Sequence, residues 1–402
     1  PYYSKTIRKF ANHKGQVPVE RLYTSRNARF SRENVTVSLN RSWSGVSGRQ
    51  RPRTHVTLRP HKRRSRTAYK LYNRTLREST RGHSKTMDLL HRIFRFAWNQ
   101  KWIDLRYKKA IYKKLCSYGD VPDAPFSADF YGLQYQGNLN NSVEFTLFYM
   151  GAFEKPLLLF LRDTVLNLKQ SVGGSKQNFF DIGANIGQHS LFMSLHADQV
   201  HSFEPYCVVS QKLERHIELN GISNIQLHKI GLSNQQEELD FYAPTGRNQG
   251  IGSFDAGTVS KGNRNLGKLA LVRGDEYLEK NALQNICLLK IDVEGFEKNV
   301  LAGLRNTLER SRPIAVVEVT YGNSLSFASL DELKASLPAD YALFRFNNRK
   351  ADGSKARRRG AKAKRSGDYQ LIPFDEWRIS GQDDVIACPK EKLGQLPSKG
   401  SV

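Results

Sequence analysis

A carboxylate, an asparagine and two glycines follow one another at fixed spacing near the middle of the chain. The run from Asn178 to Leu191 reads NFFDIGANIGQHSL, which predicts a strand, a glycine turn and the start of a helix. Glycines let the backbone approach a ligand closely and adopt positive φ, and a helix N-terminus presents free N–H groups. The spacing D-x-G-x-N-x-G differs from the dinucleotide pattern and favours a nucleoside ligand without a pyrophosphate. The candidate binding residues are Asp181, Gly183, Asn185 and Gly187.

An acidic residue ends the next predicted strand, about twenty residues beyond the glycine turn. This residue is Glu204, at the end of the apolar run that begins at Val200. A carboxylate in this position can accept hydrogen bonds from both hydroxyl groups of a ribose. Pro205 then stops the strand and introduces a predicted helix over residues 207–220.

Charged residues also lie at the end of a third apolar strand. Lys290, Asp292 and Glu294 alternate with apolar residues, which predicts that the three share one face of the strand. Charges on a buried strand are costly unless they are paired or functional. We therefore predict that Asp292 or Glu294 accepts a proton or orients a substrate, and that Lys290 holds a carboxylate or contacts the substrate. The alternative is a purely structural cluster of the lysine and the carboxylates.

Together these runs resemble a known family. The sequences DIGANIGQHS, FEP and LLKIDVEGFEKNVLAG are similar to those of the FkbM-type S-adenosylmethionine-dependent methyltransferases, and the resemblance extends from about Phe130 to Pro389. It implies a class I Rossmann-like methyltransferase that usually acts on a hydroxyl oxygen. It also implies that the glycine turn holds the methionine portion of S-adenosyl-L-methionine and that Glu204 binds its ribose.

Further site residues are predicted with competing explanations. Gly231 and Ser233 follow the third strand, where an adenine edge would be met, although a plain turn explains them equally well. His189 lies in the first turn after the glycines and could be a base or part of the cofactor wall. Glu318 is a weaker candidate in the same crevice, and Asn248 and Ser253 could line the acceptor pocket. We predict no metal, although Asp292, Glu294 and Glu297 offer the oxygen ligands that a hard divalent cation prefers.

The elements that position these residues alternate between strand and helix. This alternation predicts a doubly wound, mainly parallel sheet, and the family resemblance adds an antiparallel closing strand. Residues 87–170 are predicted to form a lead-in packed on the core, with helices over 87–117, short strands over 130–148 and a helix over 154–169. The core strands are predicted at 178–182, 200–204, 225–230, 286–293 and 314–320, extra strands at 238–242 and 268–272, and closing strands at 341–346 and 384–388. The methyltransferase domain would span 171–390, followed by a tail at 391–402.

The net charge of +25 is concentrated in two segments. Residues 1–86 hold 22 Lys and Arg against three Glu, and residues 349–365 hold nine against one Asp, which leaves −2 for the rest of the chain. Neither segment can bury enough apolar surface to offset its chain entropy, so we expect residues 1–86 to be disordered and residues 347–367 to form a mobile loop. Because the first methionine is Met87, the favoured explanation of 1–86 is an upstream segment foreign to the natural protein. A transit sequence and a nucleic-acid-binding tail are the alternatives.

Cysteine usage and hydropathy restrict the compartment. The four cysteines lack C-x-x-C spacing, which predicts neither a zinc site nor a disulfide framework, and Cys207 and Cys287 are expected to be buried. No apolar run reaches the ~18–20 residues that a membrane span needs. These features favour a cytoplasmic protein, or an imported organellar one if residues 1–86 are genuine.

Three functions remain under consideration after these observations. The favoured one is O-methylation of a small-molecule or glycan hydroxyl acceptor. An RNA methyltransferase that uses the basic segments as phosphate anchors is less favoured, because those segments lack interleaved aromatic residues. A non-catalytic nucleotide-binding protein of the same fold is the third, and Asp292 and Glu294 argue against it. The glycine spacing disfavours a nicotinamide oxidoreductase.

Overall fold

The computed structural model describes most of the chain after residue 124. The described residues are 125–171, 176–244, 252–322, 325–348 and 356–400, with single positions between 89 and 107. Residues 1–86, most of the predicted helices at 87–117, Asn248 and residues 349–355 lie outside the described residues.

The lead-in forms a hairpin and two helices. Its elements are β1 (Pro125–Phe130), β2 (Leu133–Asn138), α1 (Ser142–Met150) and α2 (Lys155–Ser171). The prediction of short strands over 130–148 is wrong for its second half, because the Asn141 side chain accepts hydrogen bonds from the backbone N–H groups of Val143 and Glu144 and starts a helix. Gly132 lies in the hairpin turn with a φ of 89°, and Gly137 lies within β2.

The first half of the core follows the predicted alternation closely. Its elements are β3 (Asn178–Ile182), α3 (Gln188–Met193), β4 (Gln199–Phe203), α4 (Cys207–Asn220) and β5 (Ile225–His228). A separate three-stranded sheet follows, in the order β6-β8-β7. It consists of β6 (Gly231–Ser233), β7 (Glu237–Ala243) and β8 (Arg264–Arg273), with a short 3-10 helix over Ala256–Lys261. Cys207 is exposed at the start of α4, contrary to prediction, whereas Cys287 is buried.

The second half of the core returns to the central sheet. Its elements are α5 (Gly274–Lys280), β9 (Ile286–Ile291), α6 (Glu297–Gly303), α7 (Arg305–Ser311), β10 (Ile314–Tyr321), α8 (Leu330–Ala335) and β11 (Tyr341–Phe346). The predicted strand over 286–293 ends two residues early, because Glu294 and Gly295 adopt positive φ and turn the chain. Charged and apolar residues still alternate beyond Ile291, but the chain there is no longer a strand.

The closing part of the chain is more ordered than predicted. It contains α9 (Arg357–Ser366), β12 (Tyr369–Pro373), β13 (Gly381–Pro389), a 3-10 helix (Lys390–Gln395) and β14 (Lys399–Gly400). Part of the predicted mobile loop is therefore the helix α9, which ends at Gly367 with a φ of 79° and packs against α2. The predicted tail also joins the sheet, because Gly400 pairs with Tyr369.

The nine strands of the central sheet have the order β14-β12-β11-β13-β10-β9-β3-β4-β5. The strands from β10 to β5 are parallel to one another, and β13 pairs antiparallel with β10. This confirms the predicted fold class, a mainly parallel sheet with an antiparallel closing strand. The antiparallel edge of the sheet contains more strands than predicted. The strand order reverses between β3 and β9, which is where open α/β sheets bind their ligands.

Apolar side chains cover the sheet on both faces. Phe179 and Leu288 belong to one buried cluster, whereas their chain neighbours Phe180 and Leu289 belong to another. The first cluster includes the apolar residues of α2, and the second includes those of α6 and α7. The polar residues at the carboxyl ends of β3 and β9 therefore lie at the edge of a sheet whose two faces are covered by buried apolar side chains. Among the described residues, no helix is long and apolar enough to cross a membrane.

Candidate active site

The glycine turn after β3 is packed directly against the chain that leaves β9. Gly183, Asn185 and Gly187 all have positive φ, at 82°, 52° and 82°. A Cβ atom on Gly183 would lie 1.9 Å from the backbone oxygen of Asp292, and one on Gly187 would lie 2.3 Å from Leu213. Only glycine fits these two positions, since both the conformation and the space exclude a side chain. The turn and the end of β9 therefore form one wall of a single site.

Glu204 is held at the end of β4 by backbone donors from both sides. Its Oε2 accepts a hydrogen bond from the N–H of Asn185 at 2.9 Å, and its Oε1 accepts one from the N–H of Tyr206 at 2.9 Å. Burial raises the pKa of this carboxyl to about 7, against the effect of the two backbone hydrogen bonds. The side chain is thus fixed beside the glycine turn, and each oxygen retains a lone pair for a further donor.

Asp181 and Lys290 form a buried ion pair at the point where the strand order reverses. The two residues lie opposite each other in the parallel pairing of β3 and β9, and Lys290 Nζ is 3.8 Å from Asp181 Oδ1. The other oxygen, Oδ2, accepts a hydrogen bond from Ser190 Oγ at 2.6 Å, and Ser202 Oγ donates to Ser190. Within the described residues, Asp181 Oδ1 has no hydrogen-bond partner. Burial raises the pKa of Asp181, although the positive charge of Lys290 opposes this effect.

Lys290 also holds the first acid of the β9 turn. Its Nζ donates to Asp292 Oδ2 at 3.0 Å, and its side chain is only 3 % exposed. Burial favours the neutral amine, but Asp292, Asp181 and Glu154 outweigh it and raise the pKa of Lys290 above its ordinary value. Lys290 therefore stays charged and links the end of β9 to Asp181 on β3.

Three carboxylates from different parts of the chain converge near the end of β9. One carboxylate oxygen each from Asp292, Glu297 in the first turn of α6 and Glu318 on β10 all lie within 4.8 Å of one another. The backbone N–H groups of Val293 and Gly295 both donate to Glu297 Oε1 at 3.0 Å. Burial, together with the neighbouring acids, raises the pKa of Glu297 to about 7 and that of Glu318 well above its ordinary value.

Glu294 lies in the same turn, with a φ of 55°. Burial, followed by the charges of Asp292 and Glu297, raises its pKa to about 8. Ser253, a predicted pocket residue, donates from its Oγ to the backbone oxygen of Glu294 at 3.3 Å. The structure therefore brings Ser253 to this turn.

His189 faces an acid that sequence reasoning did not single out. Its Nε2 is 3.7 Å from Glu154 Oε2, and no described residue forms a hydrogen bond with it. Burial and the positive charge of Lys290 lower the pKa of His189 well below its ordinary value, so the ring is neutral. Burial, and then Asp384 and Asp292, raise the pKa of Glu154. Glu154 directly precedes α2 in the lead-in, and none of the motifs that carry the family resemblance includes it.

Gly231 and Ser233 lie on β6 of the small sheet. A Cβ atom on Gly231 would lie 2.3 Å from Leu271 and 3.4 Å from Pro205, so this residue packs close to the Glu204 corner. Ser233 is fully buried, and its hydroxyl donates to Glu237 Oε1 at 2.9 Å. The side chain of Ser233 is thus engaged within its own sheet, and an adenine contact for either residue stays a prediction.

Comparison with known proteins supports the predicted family. Residues 181–346 match the model of the methyltransferase FkbM domain. The chain is 31% identical over 141 residues to Methyltransferase 1 of Beauveria bassiana, covering 31% of this chain and 57% of that protein. It is 29% identical over 144 residues to the hexuronic acid methyltransferase AglP of Haloferax volcanii, covering 36% of this chain and 56% of that protein. The chain thus spans little more than half the length of these relatives.

Among solved structures, the chain is similar to the methyltransferase FkbM of Methylobacillus flagellatus KT. The sequence identity is 15%, the TM-score is 0.32, and the match covers 56% of this chain and 47% of that chain. A similarity this low supports no inference about fold or function, so the assignment comes from the domain match and the sequence relatives. Residues 181–346 therefore match the methyltransferase FkbM domain, which supports the family that the sequence motifs resemble.

Proposed function

We propose that this chain transfers the methyl group of S-adenosyl-L-methionine to a hydroxyl oxygen of a carbohydrate-like acceptor. The observation that carries the proposal is the position of the acidic turn after β9, directly against the glycine turn. A methyl donor held by the glycine turn would lie beside carboxylates that can accept the proton of an attacking hydroxyl. The bound cofactor supplies an electrophilic methyl group, and the chain has to align the acceptor and remove its proton.

The cofactor pocket would be formed by Asp181, the glycine turn and Glu204. Asp181 Oδ1 is buried without a hydrogen-bond partner, which suits an ammonium group nearby. Gly183, Asn185 and Gly187 shape the turn through their positive φ, and Glu204 offers its two fixed oxygens to the hydroxyls of a ribose. These contacts would account for the methionine and ribose portions of the cofactor.

Proton removal is assigned to Glu294, with Asp292 as the second candidate. Lys290 Nζ donates to one carboxylate oxygen of Asp292 at 3.0 Å. Glu294 lies further along the turn, and Ser253 donates to its backbone oxygen rather than to its carboxylate. The acceptor hydroxyl would give its proton to a carboxylate as its oxygen bonds to the methyl carbon, while the bond between that carbon and the donor's sulfur would break and leave the demethylated cofactor. His189 is neutral and lies 3.7 Å from Glu154, so we assign it to the wall of the site.

The acceptor class is inferred from one relative and from the chemistry of the site. AglP is named for methylation of a hexuronic acid, which carries several hydroxyls and a carboxylate. The chain matches only 56% of that protein, so the acceptor of this chain remains a proposal. A sugar hydroxyl is a weak acid, which suits a site with several carboxylates at the reacting edge.

Incubation with methyl-labelled cofactor and separate acceptor pools would test the acceptor class. We expect label in uronic-acid-containing oligosaccharides, with the methyl group on oxygen by mass spectrometry and NMR. Label confined to RNA would contradict the proposal and favour the basic segments as phosphate anchors. Label on a nitrogen or carbon atom would contradict the assignment of an O-methyltransferase.

Glu204→Gln is expected to weaken the binding of S-adenosyl-L-methionine by ~1–3 kcal/mol, or about 5–150-fold in Kd, because a charge-assisted hydrogen bond is lost. The amide keeps only one of the two oxygens that accept backbone N–H groups, so circular dichroism has to show that the variant folds. Calorimetry with the cofactor and with its demethylated product measures the change. Glu218→Gln, at an exposed position on α4, is the matched control and should bind normally.

The pH dependence of binding separates a ribose contact from a structural role. Because the pKa of Glu204 is raised to about 7, the carboxyl gains a proton as the pH falls through 7. The affinity of the wild-type chain should then be higher at pH 8 than at pH 6, and the affinity of Glu204→Gln should change little. Equal pH dependence in both proteins would remove Glu204 from the cofactor site.

A further inference from the structure

We propose that Asp292, Glu297 and Glu318 form a binding site for a hard divalent cation of the Mg²⁺ or Mn²⁺ class. Each residue places one carboxylate oxygen within 4.8 Å of the other two, which is a separation that a single bound ion can bridge. Three negative charges this close repel one another unless protons or a cation intervene. The cluster is therefore stabilised either by protons on the carboxyl groups or by a bound cation.

A second observation points to a cation in particular. Glu297 is fully buried, and its Oε1 already accepts two backbone N–H groups that fix the carboxylate in place. Its Oε2 is also buried, and no described residue forms a hydrogen bond with it. A buried carboxylate oxygen without a partner is costly, because it has lost its hydration without any replacement. A metal ion between the three carboxylates would supply that partner.

The elements that carry the three acids hold them rigidly. Asp292 follows the fully buried strand β9, Glu297 lies in α6 and Glu318 lies on β10, which pairs in parallel with β9. Lys290 Nζ donates to Asp292 Oδ2, which fixes the carboxylate of Asp292 at the end of β9. A site built on strands and a helix is more accurately positioned than one built on loops.

The ligand set determines which metals fit. Three carboxylate oxygens without a histidine or cysteine among them suit Mg²⁺, Mn²⁺ or Ca²⁺ better than Zn²⁺ or Cu²⁺. Three protein oxygens leave coordination positions for water or for oxygens of another molecule. If the proposed function holds, those positions would take the acceptor's oxygens, beside the proton acceptor in the same turn. The binding of the ion itself requires no methyl transfer.

Titration of the chelator-treated full-length chain with Mn²⁺ tests the site without cofactor or acceptor. We expect one bound Mn²⁺ per chain, measured by electron paramagnetic resonance and by calorimetry, and competition by Mg²⁺. Glu297→Gln and Glu318→Gln should each weaken binding about tenfold or more, because each removes a charged ligand. Glu279→Gln, at an exposed position on α5, should bind Mn²⁺ normally.

Circular dichroism and thermal unfolding distinguish lost ligands from lost structure. Mn²⁺ should raise the melting temperature of the wild-type chain, and it should not raise that of Glu297→Gln or Glu318→Gln. Failure of Mn²⁺ to bind a folded wild-type chain would overturn the proposal. Unchanged affinity in both variants would overturn it as well. Either result would leave the methyl-transfer proposal standing, since the measurement contains no methyl donor.

Discussion

Glu294→Gln is expected to lower the turnover number by ~10²–10⁴ while cofactor affinity changes little. The amide has nearly the shape of the carboxylate, but it cannot accept the proton of the attacking hydroxyl. The positive φ of 55° at Glu294 belongs to the backbone and is available to glutamine at similar cost, so the turn should persist. Single-turnover rates with labelled cofactor, together with calorimetric Kd values, measure the two quantities separately.

Asp292→Asn serves as the comparison within the same turn. Asp292 Oδ2 accepts from Lys290 at 3.0 Å, so the asparagine variant should lose part of this interaction and lower turnover through misplaced groups. A fall of ~10²–10⁴ in Asp292→Asn with a nearly active Glu294→Gln would transfer the proton-acceptor role to Asp292. Full activity in both variants would return the two acids to a structural role. Glu276→Gln, at an exposed position on α5, controls for loss of charge.

The sequence predicts those parts of the site that are local in the chain. The glycine turn, Glu204 and the acids after β9 each follow an apolar strand directly, so one short motif reveals both the strand and the groups that it carries. Gly183 illustrates the limit of this reasoning. The need for positive φ could be expected from the motif, but the contact with the backbone oxygen of Asp292 joins segments 109 residues apart.

Residues that join the site from distant elements leave weaker signals. Glu154 directly precedes α2 and meets His189 because α2 packs against α3, the helix that carries His189. The sequence shows Glu297 as an acid near the turn. It does not show that two backbone N–H groups donate to Oε1, or that no described residue forms a hydrogen bond with Oε2. The convergence with Glu318 depends on the parallel pairing of β9 and β10, which no local pattern specifies.

The wrong secondary-structure predictions have similar causes. Aromatic and β-branched residues over 141–148 favour strands, but the cap formed by Asn141 selects a helix whose apolar residues are buried in the core. The basic composition of 347–367 indicates a solvated loop, yet α9 packs against α2, and Lys155 Nζ donates to the Arg365 backbone oxygen at 3.2 Å. Tertiary contacts decided both segments against their local composition.

Lys290→Met is expected to destabilise the fold by ~3–5 kcal/mol, because it removes one partner of a buried ion pair and leaves the other uncompensated. Asp181 is fully buried, and within the described residues Lys290 is its cationic partner at 3.8 Å. Methionine fills a similar volume, so the loss reflects charge more than packing. Urea unfolding at pH 7 measures the change, and Lys229→Met, which breaks the half-exposed pair with Glu214, should cost less than about 1 kcal/mol.

The double variant Asp181→Asn/Lys290→Met decides between an electrostatic and a steric cause. Removing both charges should restore much of the stability that Lys290→Met loses, because no uncompensated carboxylate then remains between β3 and β9. The remaining deficit would reflect Asp292, which also loses its 3.0 Å contact with Lys290. A double variant no more stable than Lys290→Met would show that the lysine acts through packing, and that the two strands do not depend on this ion pair.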